Sequence, residues 1–327
     1  MSIQVESLTK HFRVHQKEPG LAGSIRSFVR RRYETVRAVD DITFEIAQGE
    51  VVGFLGPNGA GKTTTLKCLS GLLYPTSGTV QVLGYTPAKR DPDYLGQFTL
   101  VMGQRNQLMW DLPAIETFLV NQAIYDVPEA EFRETLDELV ALLDLEPLLK
   151  KQVRKLSLGE RMRCELAASL LHRPRMIFLD EPTLGLDITA QQAIRTFIRE
   201  YNQRTNATVL LTSHYMADVT ALAKRILVIE HGKLRYDGDL QALIEQRAPY
   251  RLLRLTLDHA VDSADLNALG TIESRDGLEV TLRVPRGSTR DAAARALSTL
   301  PVEDVAIEDP AVEDIIREVF EMGEVNA

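Results

Sequence analysis

The sequence predicts an α/β protein with a mostly parallel core sheet, a helical section and a small second domain. Three observations carry this prediction. A glycine-rich loop near residue 60 joins a short apolar strand to a helix, strands and helices alternate between residues 176 and 229, and the composition changes near residues 245–250. Strand–helix alternation is typical of a parallel sheet with helices on its faces.

The first elements read as strands. Alternation of Ile3, Val5 and Leu8 predicts an edge strand, and residues 42–46 predict a second strand. Residues 13–37 between them look like an insertion. Leu21, Ile25 and Phe28 recur at helical spacing among arginines, which leaves open whether a basic helix packs on its own domain or contacts lipid headgroups.

The glycine-rich loop has the form G-x-x-x-x-G-K-[ST], preceded by the apolar run 51–55 and followed by a helical stretch, 63–72. This is the context that a phosphate-binding loop requires. Its glycines let backbone N–H groups point at phosphate oxygens, and the helix N-terminus adds its dipole. Lys62 can then reach the terminal phosphates. We expect the nucleotide to be bound by Gly56, Pro57, Asn58, Gly59, Ala60, Gly61, Lys62, Thr63 and Thr64.

Further strands are predicted at residues 79–83 and 98–102, and a helical section at about 105–172. Next, the apolar run 176–179 places Asp180 at the carboxyl end of a core strand, where ligands bind in open α/β sheets. Asp180 can hold Mg2+ opposite the Thr63 hydroxyl. Glu181 follows directly and can orient, or accept a proton from, the water that attacks the terminal phosphate.

The remaining core elements are predicted as a helix at 188–201, a strand at 208–211, a helix at 214–222 and a strand at 226–229. Beyond them the charge changes. Residues 249–327 carry 8 Arg and no Lys against 16 Asp plus Glu, a net charge of −8, so the net −8 of the whole chain leaves zero for the rest. We therefore predict domains at 1–245 and 246–327, the second a small acidic α/β lobe with strands at 251–257 and 278–284 and helices at 290–300 and 312–320.

Composition also bounds the class of protein. The absence of a concentrated basic charge argues against nucleic acid as a partner. No apolar run approaches the roughly 20 residues of a membrane span, so we expect a cytoplasmic chain. If it works at a membrane, another molecule must anchor it there. The two cysteines, Cys68 and Cys164, form no metal-type pair and are expected to be buried thiols.

Residues 156–161, Leu-Ser-Leu-Gly-Glu-Arg, form a short loop that opens a helix, which makes an anion site. Here the chain resembles the ATP-binding cassette (ABC) family, whose signature loop reads LSGGQ. Ser157 and Gly159 match, Leu158 replaces a glycine and so restricts the backbone, and Glu160 replaces the glutamine. Gln104 resembles the family's Q-loop glutamine, Asp187 ends a D-loop-like run, and His214 resembles the switch histidine.

The resemblance covers about residues 3–240 and implies the P-loop NTPase cassette fold, with an antiparallel β part and a helical subdomain. It also implies ATP and Mg2+ as cofactors and a head-to-tail dimer with a second copy of the chain. One copy would supply Lys62, Thr63, Gln104, Asp180, Glu181 and His214, with metal contacts from Thr63, Gln104 and Asp180, and the other would supply Ser157, Gly159, Glu160 and Asp187. The adenine would stack on Phe12 or Tyr33, of which we prefer Phe12.

The wording of the phosphate loop and of the signature variant looks like the ATPase subunits of ABC-2-type exporters. That resemblance implies transmembrane permease partners on the cytoplasmic face of the membrane. An importer ATPase is the nearest alternative. A soluble, ribosome-acting ABC protein usually carries two cassettes, and a chromosome-organising ATPase carries long coiled coils, and neither feature is present here. A regulatory protein with a dead ATPase site is disfavoured because Lys62, Asp180, Glu181 and His214 are all present.

Overall fold

A computed structural model describes residues 1–16, 32–103 and 107–321 of the chain. The chain divides into two units, Met1–Gly238 and Asp239–Ala327. The first unit ends a few residues before the predicted boundary at 245/246.

The first unit contains nine strands and seven helices among the described residues, besides short 3-10 turns. In chain order they are β1 (Ile3–Gln16), β2 (Arg32–Ile46), β3 (Val51–Leu55), α1 (Lys62–Leu69), β4 (Ser77–Val82), α2 (Pro92–Leu95), β5 (Phe98–Met102), α3 (Ala114–Ile124), α4 (Glu129–Leu143), α5 (Leu158–Leu170), β6 (Met176–Asp180), α6 (Ile188–Thr205), β7 (Thr208–Thr212), α7 (Met216–Leu222), β8 (Arg225–Glu230) and β9 (Lys233–Asp239).

The central sheet has six strands in the order β5-β6-β7-β3-β8-β9. Five of its strands, β5, β6, β7, β3 and β8, run parallel to one another. Strands β3, β6, β7 and β8 are almost entirely buried. Helices cover both faces of such a sheet, which explains why these strands read as continuous apolar runs rather than as alternation. The parallel order brings the carboxyl ends of β3, β6 and β7 to one edge.

A second, antiparallel sheet has the order β2-β1-β4. The prediction of an edge strand at residues 1–12 is therefore wrong, because β1 lies in the middle of this sheet. The proposed insertion at 13–37 is also wrong in its bounds, since residues 13–16 and 32–37 are paired strand, with Val14 opposite Glu34. This arm of the hairpin is exposed on both faces, so it carries no alternation that the sequence could show. The helix pattern at Leu21, Ile25 and Phe28 lies outside the described residues.

The helical section consists of α3, α4 and α5. Pro128 precedes α4 and separates it from α3, because proline disfavours helix continuation. Apolar side chains at helical spacing, such as Phe132, Leu139 and Leu143 of α4, are buried and belong to the same core cluster as Ala167 of α5.

The second unit contains α8 (Leu240–Arg247), β10 (Tyr250–Leu257), α9 (Ser263–Asn267), β11 (Thr271–Asp276), β12 (Glu279–Pro285), α10 (Thr289–Thr299), β13 (Val302–Glu308) and α11 (Val312–Glu321). Its antiparallel sheet has the order β11-β12-β10-β13. Leu253, Leu255 and Leu282 of the central strands pack with Ala296 of α10 in a separate core. Strand β11 at one edge and β9 of the first unit are largely polar, and β13 at the other edge is largely exposed; these three strands were not predicted. In the described ranges, no helix of either unit is long and apolar enough to cross a membrane.

Candidate active site

The loop between β3 and α1 folds tightly against its neighbours. Gly61 has φ +113°, and a Cβ at this position would lie 2.3 Å from the carbonyl oxygen of Ala38, so only glycine fits. Lys62, the first residue of α1, is only 6% exposed. Its Nζ donates hydrogen bonds to the carbonyl oxygens of Gly56 (2.6 Å) and Pro57 (3.1 Å). The ammonium group is thus held inside the loop that the sequence singled out.

Burial lowers the pKa of Lys62, while the negative charges of Glu181 and Asp180 raise it again. A buried cation is costly unless it is paired or hydrogen-bonded. Here the two carbonyl oxygens and the nearby carboxylates stabilise it. Among these three described side chains the carboxylates outnumber the ammonium group, which favours a further cation beside the carboxylates.

Asp180, at the end of β6, bridges two hydroxyl groups. Its Oδ2 accepts a hydrogen bond from Thr63 Oγ1 (2.9 Å), and its Oδ1 accepts one from Thr212 Oγ1 (2.7 Å). The contact between Thr63 and Asp180 matches the arrangement that strand order predicts. Thr212 was not singled out from the sequence, although it pairs directly with Asp180 where β7 lies beside β6. Its place in the sequence, as a threonine at the carboxyl end of a buried strand, could have identified it as a site residue.

Glu181 has a strained backbone, with φ +56° in the left-handed region. This conformation costs roughly 1–3 kcal/mol for a residue other than glycine. Its N–H donates to the carbonyl oxygen and to Oγ1 of Thr212, both at 3.1 Å. Its Oε1 lies 2.7 Å from Nε2 of His214. The strand end therefore aims the carboxylate away from the core and onto the imidazole that follows β7.

The loop 156–161 ends in the N-terminus of α5, with Ser157 as its N-cap. Ser157 Oγ accepts from the N–H of Glu160 (3.2 Å), and the N–H of Ser157 donates to Glu160 Oε2 (2.8 Å), which completes a capping box. The Glu160 carboxylate also lies 3.4 Å from Lys151 Nζ. The backbone hydrogen bond from Ser157 and the charge of Lys151 lower the pKa of Glu160. Contact between Glu160 and a nucleotide stays a prediction, because its side chain caps the helix here.

Leu158 belongs to the first turn of α5, where leucine is a good helix former, so a glycine is not required there. Glycine is required one residue later, because a Cβ at Gly159 would lie 2.9 Å from Cβ of Ala190 in α6. Leu158 in turn packs against the segment 184–187, its Cδ2 lying 3.3 Å from where a Cβ of Gly185 would be. Asp187 ends that segment as the N-cap of α6 and accepts from the N–H of Ala190 (2.8 Å).

Gln104 lies outside the described residues. Gly103, just before it, donates its N–H to the carbonyl oxygen of Asp180 (2.9 Å), so the chain leaves β5 beside the predicted metal ligand. The adenine platform also stays a prediction. Phe12 pairs with Val36, two residues before Ala38, whose carbonyl lies against Gly61. Tyr33 pairs with His15 and lies further along β2 from Ala38, and therefore further from the phosphate loop. This difference favours Phe12.

A buried carboxylate in the helical section was missed by the sequence reasoning. Glu165 of α5 is 3% exposed. Its two oxygens accept from the N–H of Gln107 (both 3.0 Å), and Oε1 also accepts from the N–H of Leu108 (3.3 Å). Glu165 thereby ties the chain just after Gln104 to the helix that begins at the signature loop.

Comparisons with known proteins identify the family. The ABC transporter family model matches residues 39–184, and the model of the C-terminal domain of EvrA-like ABC transporters matches residues 249–308. The chain is 34% identical to the ABC transporter ATP-binding protein NatA of Bacillus subtilis, over 65% of this chain and 86% of that protein. The chain belongs to the ATP-binding subunits of ABC transporters. It is also 31% identical to the daunorubicin/doxorubicin resistance ATP-binding protein DrrA of Streptomyces peucetius, over 86% of this chain and 88% of that protein.

Solved structures agree with this family. An ATP-binding subunit of an ABC transporter aligns with a TM-score of 0.61 and 26% identity, over 75% of this chain and 93% of that chain. A dimeric ATP-binding cassette in a post-hydrolysis state with ADP and Pi shares the fold, with a TM-score of 0.59 and 24% identity over 72% of this chain. The predicted cassette fold and the assignment as an ATP hydrolase are confirmed.

Proposed function

We propose that this chain is the ATPase subunit of an ABC-2-type exporter, and that ATP drives two copies to close head to tail. The observation that carries the proposal is the arrangement at one edge of the sheet. Thr63 donates to Asp180, Lys62 feels the charges of Asp180 and Glu181, and Glu181 Oε1 lies 2.7 Å from Nε2 of His214. The phosphate loop of one copy would meet the signature loop of the other.

In this proposal the groups at the site have separate tasks. Lys62 stabilises the charge of the terminal phosphates from inside the loop. Glu181 orients the attacking water, and His214 fixes the Glu181 carboxylate and faces the terminal phosphate. The N–H of Glu181 donates to two oxygens of Thr212, which holds the strained backbone and keeps the carboxylate in one orientation before nucleotide arrives.

Mg2+ fits the donors that this edge presents. Thr63 Oγ1 and Asp180 Oδ2 are both oxygen ligands and lie 2.9 Å apart, within reach of one small ion. No group of three or more His, Cys, Asp or Glu that could hold a metal was found in the described part of the chain. This agrees with a site for Mg2+ that uses one carboxylate and leaves the remaining positions to phosphate oxygens and water. The ion would neutralise phosphate charge that Lys62 alone does not balance.

The face proposed to close on the second copy carries exposed apolar side chains. Ile188, directly after Asp187, is 79% exposed, and Leu158 in the signature loop is 37% exposed. The contact between Leu158 and Gly185 joins the signature loop and the D-loop into one surface. ATP that contacts both copies would shift the population toward the closed dimer. One of the solved cassettes with this fold is a dimer with ADP and Pi bound.

The proposed contact with a permease lies on the helical section. Exposed large apolar side chains gather between residues 109 and 125, on the segment before α3 and on α3 itself. They are Met109, Trp110, Leu112, Leu119, Val120, Ile124 and Tyr125. Because Glu165 ties Gln107 and Leu108 to α5, a movement of this section would carry the surface with it. A permease would hold the chain at the cytoplasmic face of the membrane.

The relatives support export. The chain is 34% identical to the bacitracin transport protein BcrA of Bacillus licheniformis, over 69% of this chain and 72% of that protein. It is 36% identical to the Nod factor export protein I of Paraburkholderia xenovorans, over 66% of this chain and 70% of that protein. A neighbouring gene for a solute-binding protein would instead favour import and would overturn this part of the proposal.

Light scattering after a sizing column tests the dimer directly. Glu181→Gln retains ATP binding but loses the water-orienting carboxylate, so we expect it to elute as a dimer with ATP and Mg2+ and as a monomer without them. The control adds Lys62→Ala to the same variant, which weakens ATP binding and should restore the monomer. A Glu181→Gln protein that binds ATP and stays monomeric at every concentration would contradict ATP-driven closure.

A further inference from the structure

We propose that Asp218 is a positioning residue that holds Glu181 and His214 in register for ATP hydrolysis. Asp218 lies in the first turn of α7 and is 1% exposed. Sequence reasoning gave it no role. The inference rests on the proposed roles of Glu181 and His214 and adds the group through which both loops are held.

Both oxygens of the Asp218 carboxylate are hydrogen-bonded to other loops. Oδ2 accepts from Thr183 Oγ1 and from Ser213 Oγ (2.6 Å), and Oδ1 accepts from Arg195 Nε (2.6 Å). Thr183 and Ser213 are themselves 1% and 3% exposed. Hydrogen bonds to a charged acceptor in a buried site are roughly twice as strong as neutral ones. Asp218 is thus a rigid junction of three separate segments.

Two of these segments carry the proposed catalytic pair. Thr183 is two residues after Glu181, and Ser213 immediately precedes His214. Ser213 Oγ also accepts from the N–H of Tyr215 (3.0 Å), so the hydroxyl fixes the backbone on both sides of His214. A single carboxylate therefore sets the separation of the loops whose side chains meet at 2.7 Å.

The third segment leads to the proposed dimer face. Arg195 of α6 pairs with Asp218 and also donates from its Nη2 to Gln191 Oε1 (2.9 Å). Gln191 Nε2 donates in turn to the carbonyl oxygen of Leu186 (3.1 Å), one residue before Asp187. The chain of hydrogen bonds runs from Asp218 to the D-loop. Closure of the dimer against Asp187 would reach the catalytic pair through this junction.

The test is steady-state ATP hydrolysis by the full chain with Mg2+. Asp218→Asn keeps the shape of the side chain but cannot accept from Thr183, Ser213 and Arg195 together. We expect kcat to fall by about tenfold to 100-fold with KM for ATP within about twofold, because small displacements of catalytic groups cost rates of this size while the phosphate loop is untouched. Glu50→Gln, which removes a carboxylate from the Arg225 ion pair at the start of β3, is the control and should leave kcat unchanged within about twofold.

A double-mutant cycle separates positioning from general stability. In a His214→Ala background, Asp218→Asn should change kcat by less than about twofold, because the pair that it positions is already broken. A purely structural role would give the same loss in both backgrounds. If Asp218→Asn does not fold, Thr183→Val removes one hydroxyl of the junction at nearly constant volume and is expected to show the same split between kcat and KM.

The outcomes remain distinguishable from a failure of the proposed function. Normal turnover by Glu181→Gln would overturn the catalytic roles themselves. This inference alone would be overturned if Glu181→Gln shows no turnover while Asp218→Asn and Thr183→Val both fold and keep the wild-type kcat. A rise in KM with unchanged kcat, or a loss that is equal with and without His214, would overturn it as well.

Discussion

Glu165 offers a sharp test of how the helical section is held together. Its carboxylate binds the N–H groups of Gln107 and Leu108, which come from a segment 58 and 57 residues earlier in the chain. Glu165→Ala removes the carboxylate that accepts from these two N–H groups in the described part of the chain. Leu108 is 5% exposed, so water cannot readily replace the carboxylate there.

The magnitude follows from these contacts. A buried donor left without a partner costs about 1–3 kcal/mol. The Leu108 N–H is such a donor, whereas Gln107 is exposed and water can replace the carboxylate at its N–H, so the expected loss in the free energy of unfolding is roughly 1–3 kcal/mol. For a unit of this size, this corresponds to a melting temperature lower by about 2–12 °C. Glu165→Gln keeps one acceptor oxygen and should lose no more than about 1.5 kcal/mol.

The pH dependence has a defined sign. The pKa of Glu165 is raised, because burial raises it more than the backbone hydrogen bonds and the charge of Arg161 lower it. The folded state therefore binds this proton more tightly than the unfolded state, and the stabilisation declines as the pH rises through the folded-state pKa. The stability of wild type relative to Glu165→Gln should be greater at pH 5 than at pH 7.5.

The assay is thermal unfolding followed by circular dichroism at both pH values. Glu146→Ala is the control, because Glu146 is an exposed residue of the same helical section and its loss should change stability by no more than about 0.5 kcal/mol. A Glu165→Ala protein that melts within about 1 °C of wild type, or a Glu146→Ala protein that is destabilised as much as Glu165→Ala, would refute the reasoning.

Three further predictions concern the loops and the thiols. Lys62→Ala should raise the Kd for ATP by roughly 10-fold to 150-fold, the effect expected from the loss of charge-assisted hydrogen bonds. Glu181→Gln should change this Kd by less than about threefold. Equal Kd values in calorimetry for the wild type and both variants would contradict this. Burial raises the pKa of Cys68 to about 11 and that of Cys164 to about 12. A thiol reagent at pH 8 should therefore leave both cysteines unmodified until denaturant is added. Rapid labelling of the native chain would contradict this prediction. Leu158→Gly should lower the free energy of unfolding by about 1 kcal/mol, because glycine is a poorer helix former than leucine in the first turn of α5. Turnover should rise by no more than about twofold, because Leu158 already has a helical backbone. A fivefold gain in ATPase rate would instead show that leucine impairs the signature loop.

The core of the site could be predicted because it depends on local patterns. The glycine-rich loop requires a strand before it and a helix after it, and both are readable from short runs of sequence. The meeting of Thr63 with Asp180 follows from a general property of parallel sheets, in which the carboxyl ends of strands share one edge. These inferences needed no knowledge of how distant side chains pack.

Residues missed by the sequence reasoning are those whose partners are distant in the chain. Glu165 and Asp218 occupy helices in which a carboxylate ordinarily faces water, and nothing local shows that each is buried against other loops. Thr212 looked like the end of an ordinary core strand. Strands β9 and β11 are largely polar, and the apolar residues of β13 neither alternate regularly nor form a long run, so the sequence signal for these three strands is weak.

The most direct test of the central claim is the rate of ATP hydrolysis per molecule, measured against protein concentration with Mg2+ present. A chain that acts as an ATP-closed dimer should show a specific rate that rises with concentration and then levels off, and Glu181→Gln should show no turnover at any concentration. A specific rate that is independent of concentration while the protein remains monomeric, or normal hydrolysis by Glu181→Gln, would contradict the account.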